Sequence, residues 1–88
     1  MNEIAKNILK HVSTSSNDEF RVIKLSDDSV IIESNGNRME IDTSSDKKES
    51  EYQQAGIELK DSKYITKIDS SKGLFRITAE GYKAAEKL

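Results

Sequence analysis

The last third of the chain, Glu51 to Leu88, constrains the fold most. It predicts a helix, then a tight hairpin, then a second helix. Tyr52, Ala55, Gly56 and Leu59 recur at helical spacing and form one stripe. Tyr64 to Ile68 and Leu74 to Ile77 read as strands around a loop at Asp69 to Gly73, with Gly73 free to take positive φ. Thr78 suits an N-cap. Gly81, Ala84, Ala85 and Leu88 then fall at i, i+3, i+4 and i+7, a small-residue stripe that lets a neighbour approach closely.

The middle of the chain predicts a three-stranded antiparallel meander. Asn35-Gly36 between two apolar runs is a strong hairpin signal, because a type I′ turn needs positive φ at both central residues. That turn sets Ile32 opposite Met39, Val30 opposite Ile41 and Glu33 opposite Arg38. Apolar pairs fall on one face and an opposite-charge pair on the other, as cross-strand pairing favours. A four-residue turn at Ser26 to Ser29 would set Leu25 opposite Val30 and Ile23 opposite Ile32. The expected core face is then Ile23, Leu25, Val30, Ile32, Met39 and Ile41, on strands near Phe20–Leu25, Val30–Ser34 and Arg38–Ile41.

Ahead of the meander, Asn2 to Val12 predicts a helix. Ile4, Ala5, Ile8, Leu9 and Val12 form its stripe, Asn2 caps it, and Glu3 and Lys10 suit the dipole. After the meander, Ser45 or Asp46 should cap the helix that runs to about Asp61.

Eighty-eight residues make one domain, 1–88, with no internal repeat. A net charge of −2 with both signs intermixed lacks the basic excess typical of nucleic-acid domains. With no cysteine, neither a disulfide framework nor a thiolate metal site can form. The longest apolar run is three residues, and no signal peptide is visible, so a cytoplasmic protein is the simplest expectation.

The C-terminal pattern resembles a family of small bacterial winged-helix-like domains, many appended to larger proteins. Tyr52, Leu59, Tyr64, Ile65, Gly73, Phe75, Ile77, Thr78, Glu80, Gly81 and Tyr82 carry the resemblance, which is strongest over Glu51–Leu88. It implies an α+β, winged-helix-like fold: N-terminal helix, three-stranded meander, long helix, β-hairpin wing and C-terminal helix. It implies no biochemical activity. Two positions depart from the pattern. Lys63 stands where glycine would end the long helix, so the cap must use a strained or alternative geometry. Gly56 replaces a large apolar residue, which weakens that helix locally.

No residue set suggests catalysis, a cofactor or a metal. His11, the one histidine, sits near a helix C-terminus, where an interaction with the dipole suffices. Asp27-Asp28 falls in a turn, where Asp is favoured for backbone reasons, and lacks the spacing of a calcium loop. The four glycines never cluster into a phosphate-binding loop. Two functional expectations follow. The first is a non-enzymatic protein–protein interaction module, with Ile57, on the opposite side of its helix from Tyr52, Ala55 and Leu59, either packed on the meander or the wing or, if exposed, the partner contact. The alternative is a DNA-binding regulator, with Lys67, Lys72 and Arg76 of the wing contacting phosphate. Against the alternative, the candidate reading helix from Asp46 to Lys63 carries five acidic residues against four basic ones, and no helix directly precedes it as a brace.

Overall fold

A computed structural model describes residues 1–88. The chain is α+β: α1 (Glu3–Ser13), β1 (Glu19–Lys24), β2 (Ser29–Ser34), β3 (Asn37–Asp42), α2 (Asp46–Asp61), β4 (Ile65–Asp69), a short 3-10 turn at Ser70–Lys72, β5 (Leu74–Ile77) and α3 (Ala79–Glu86). The strands form one antiparallel sheet in the order β3-β2-β1-β5-β4. This corrects the expected layout. The β4–β5 hairpin is not a separate wing, because β5 pairs with β1 through Glu19–Arg76, Phe20–Phe75 and Arg21–Leu74. Meander and hairpin are therefore one sheet.

The helices occupy one face of that sheet, with α1 between α2 and α3 and touching both. The Asn2 side chain accepts the Ala5 N–H at 2.8 Å and starts α1. The same residue joins α1 to α2: its backbone N–H donates to the Glu58 carboxylate at 2.9 Å, and its Nδ2 donates to the Glu51 carbonyl at 2.9 Å. Ala5, Ile8, Leu9 and Val12 from α1 meet Ala55 and Leu59 from α2, and Phe20, Val30, Ile32, Ile41, Ile65 and Ile77 from the sheet, in one buried core.

The β2–β3 hairpin has the expected register, with Ile32 opposite Met39, Val30 opposite Ile41 and Glu33 opposite Arg38. Asn35 and Gly36 take φ of 50° and 84°, and Arg38 Nε lies 2.9 Å from the Glu33 carboxylate. The β1–β2 register differs from expectation by one residue. Val22, not Ile23, pairs with Ile32, and Lys24, not Leu25, pairs with Val30. The connection is a three-residue loop, Ser26-Asp27-Asp28, closed by the Leu25 N–H donating to the Ser29 carbonyl. Asp28 takes φ of 63°, the left-handed residue such loops require. Its carbonyl accepts both the backbone N–H and the hydroxyl of Thr43, at 2.9 and 2.7 Å. The slip exchanges the faces of β1. Phe20 and Val22 turn to the helices, Leu25 is 38% exposed, and Ile23 joins Ile31 on the sheet's outer face.

Ser45, rather than Asp46, caps α2, accepting the Lys48 N–H at 3.1 Å. Lys48 Nζ also reaches Asp42 at 2.7 Å; that bond and those from Ser44 hold the Asp42 carboxyl well below its ordinary range. Both side chains are solvated, so the pair orients the β3–α2 connection rather than stabilising the fold much. At the other end of α2, Lys63 takes φ of 61°. The Tyr64 N–H returns to the Leu59 carbonyl and the Lys63 N–H to the Lys60 carbonyl, a Schellman motif with lysine in the position glycine prefers. Lys63→Gly should therefore stabilise the chain by roughly 0.5–1 kcal/mol, read as a higher midpoint in urea unfolding with an unchanged slope. A lower midpoint would mean that the lysine stem contributes more than its backbone strain costs.

Thr78 accepts the Gly81 N–H at 3.0 Å and caps α3. Its hydroxyl also lies 2.6 Å from the Lys63 carbonyl and 3.1 Å from that of Tyr64, so one side chain joins the α2 exit to the α3 start. Thr78→Ala should cost roughly 1–2 kcal/mol in the same experiment. Leu88 does not extend the α3 stripe: the helix ends at Glu86, and Leu88 is exposed.

Candidate functional site

Helix α2 covers the sheet incompletely. Its stripe carries Gly56, which lines the gap, and a Cβ built there would meet nothing within 4 Å. A cleft of about 390 Å³ lies between α2 and the sheet, with nine of its twelve lining residues hydrophobic. Buried Phe20, Ile32 and Leu59 belong to both core and cleft wall. Half-buried Val22, Tyr52 and Phe75 complete the apolar lining nearer the solvent. The rings of Phe20 and Phe75 stack at 5.7 Å and 17°. This pair exists only because β1 and β5 are neighbours with those two residues in register.

Ile57 stands on the rim, 48% exposed, and shares the cleft lining with Tyr52 and Leu59 rather than pointing away from them. On its other side is a shallower and more polar hollow bordered by Met1, Glu58 and Asp61. Ile57 therefore marks the boundary between an apolar cleft and an acidic edge. Burial raises the Tyr52 phenol above its ordinary value, with a smaller contribution from Glu49, so the ring enters the cleft wall uncharged at neutral pH. Lys60 is the only charged residue in the cleft lining. The lining has no nucleophile paired with a base. It offers apolar area, an exposed aliphatic side chain and one cation.

The three wing cations are all exposed but do not form one stripe. Arg76 pairs with Thr66 across the hairpin and Lys67 with Phe75, so Arg76 and Lys67 leave opposite faces of the sheet. Arg76 is also 3.9 Å from Glu19. Lys72 lies in the 3-10 turn at the hairpin tip.

His11 Nε2 lies 3.1 Å from the carbonyls of both Ile32 and Asn37, so the ring fastens α1 to the β2–β3 hairpin. Asp27 accepts the Ser29 hydroxyl at 2.7 Å within its turn. The Tyr82 hydroxyl donates to Asp18 at 2.5 Å, which holds α3 to the α1–β1 loop and pushes its ionisation up to about 12.

The cleft was not identified from sequence. Its one visible signal was Gly56, which reads as a weak point of the helix until β1 and β5 are placed opposite it. Comparison with known proteins gave no match: no family model fits the chain, and neither the curated proteins nor the solved structures yielded a significant relative.

Proposed function

We propose that this chain is a non-enzymatic interaction module that captures a protein partner at Ile57 and the apolar cleft beside it. The observation that carries this reading is the half-exposed Ile57 on the rim of a 390 Å³ cleft with nine apolar lining residues. A concave apolar lining with an aliphatic side chain half in solvent on its rim supports a contact surface. Burying the rest of Ile57 would contribute roughly 1 kcal/mol, and an aromatic or aliphatic side chain seated over Phe75 considerably more.

A cytosolic setting and a winged-helix-like kinship belong to the same proposal. The order α2, β4–β5 hairpin, α3 supports the kinship. No helix is long and apolar enough to cross a membrane. The duplex-DNA alternative draws its support from that order alone. Its cations face different ways, one of them toward Glu19, and three strands stand between α1 and α2 where a bracing helix would be needed. A sequence-selective duplex complex tighter than about 1 μM at physiological salt would favour the alternative.

Ile57→Glu is the direct test. The side chain is at the surface, so the melting temperature should stay within a few degrees of wild type. Proteins cross-linked to the wild-type chain should be lost from the variant. If the variant unfolds, Ile57 is a core residue; if it keeps the same partners, the capture surface lies elsewhere.

A further inference from the structure

Building on the reading of the cleft as a capture site, we infer that its occupant is a short acidic peptide segment anchored by a bulky apolar side chain. The argument comes from where charge is paired and where it is not. Lys60 is the only charged residue in the lining and takes part in no ion pair. Lys67 lies two residues beyond the cleft residue Ile65 and directly across from the cleft residue Phe75, so it leaves the same face of the sheet. It too is exposed and unpaired. By contrast, the cation of β1 on this face, Lys24, is 3.5 Å from Glu49. The acidic residues near the cleft, Glu58 and Asp61, border the separate hollow beyond Ile57. A segment in the cleft therefore meets apolar side chains and the unpaired Lys60, and one that runs on past Phe75 meets Lys67 on the same face of the sheet. An acidic residue there pairs with them; a basic one is repelled.

Lys67 decides for a peptide over a small amphiphile. It lies outside the cleft lining, so an occupant that fills the apolar cleft and also reaches this cation needs a backbone bearing more than one side chain. The helix on one wall and the sheet on the other form the groove in which amphipathic segments dock.

The test is selection of short random displayed peptides on the intact chain, on Ile57→Glu and on the double variant Lys60→Glu, Lys67→Glu, with melting curves to show that each is folded. Peptides enriched on the wild type should combine a Leu, Phe or Trp with flanking Asp or Glu. Synthesised singly, they should bind the double variant at least about tenfold more weakly, because each charge reversal removes a rim ion pair and adds a like-charge repulsion. Selection on the double variant should turn toward Lys and Arg. Wild-type peptides without acidic bias, or acidic peptides held equally well by the double variant, would overturn the assignment while leaving the cleft a capture site. No enrichment over Ile57→Glu would remove the peptide assignment, and the cross-linking comparison of wild type with Ile57→Glu then decides whether the cleft captures a folded protein.

Discussion

Gly81→Leu should lower stability by about 3 kcal/mol or more and the melting temperature by roughly 12–25 °C. A Cβ at position 81 would lie 2.3 Å from the Tyr64 carbonyl oxygen and 2.7 Å from Ile77 Cγ1. Neither neighbour can yield cheaply. The Tyr64 carbonyl is held by the Thr78 N–H at 2.9 Å and the Thr78 hydroxyl at 3.1 Å, and Ile77 is 1% exposed in the core. The sign for Gly81→Ala is the sharper test. Inside a helix this change ordinarily gains roughly 1 kcal/mol, because alanine restricts the unfolded chain and suits the helix. Here the contact should reverse that preference. Thermal unfolding that shows Gly81→Ala equal to or above wild type would refute the close approach of α3 to the α2 exit.

Gly73→Val should cost as much, through a different route. Gly73 takes φ of 64°, where a β-branched residue is strained, and a Cβ would lie 2.4 Å from the Val22 carbonyl oxygen. The Gly73 carbonyl meanwhile accepts the Val22 N–H at 2.8 Å. The substitution thus pushes β5 away from β1 at a point where they are bonded. A loss of about 3 kcal/mol or more is expected, with amide exchange at Val22 accelerated beyond that of Ile32. Gly36→Ala is the control. Its φ is 84°, yet nothing lies within 4 Å of a Cβ there, so only the conformational cost of about 1–2 kcal/mol should appear. Equal losses at the two positions would mean that the contact with β1 contributes nothing.

Much of the fold was legible because its signals are local. Asn35-Gly36 specifies both turn and register within a few residues, and Asn2 and Thr78 cap helices that begin beside them. Strand β1 was legible as a strand but not in its facing. Phe20 and Val22 alternate as well as Ile23 and Leu25 do, so periodicity favours neither face. Ser26 to Ser29 accepts a two- or three-residue loop equally. The choice is made from a distance, by Thr43 holding the Asp28 carbonyl and by Phe75 stacking on Phe20. The cleft was hidden for the same reason. It is bounded by residues from segments far apart in the chain, with Gly56 as one part of its wall. The helix wheel separates Ile57 from the stripe of Tyr52, Ala55 and Leu59 but does not say whether it meets solvent or the sheet, and in the fold it does some of each.

The pairing of β1 with β5 has a kinetic consequence. Each half of the sheet is built from hairpins that form over short loops, whereas the join encloses most of the chain between its two strands. Closing so large a loop costs entropy before any contact returns it. Assembly should therefore proceed as two independently zipping hairpin units whose docking sets the overall rate, with Phe20 meeting Phe75 at the barrier. Until that step, β1 and β5 are both unpaired edges, and the interval between hairpin formation and docking is when this chain is most exposed to pairing with another molecule.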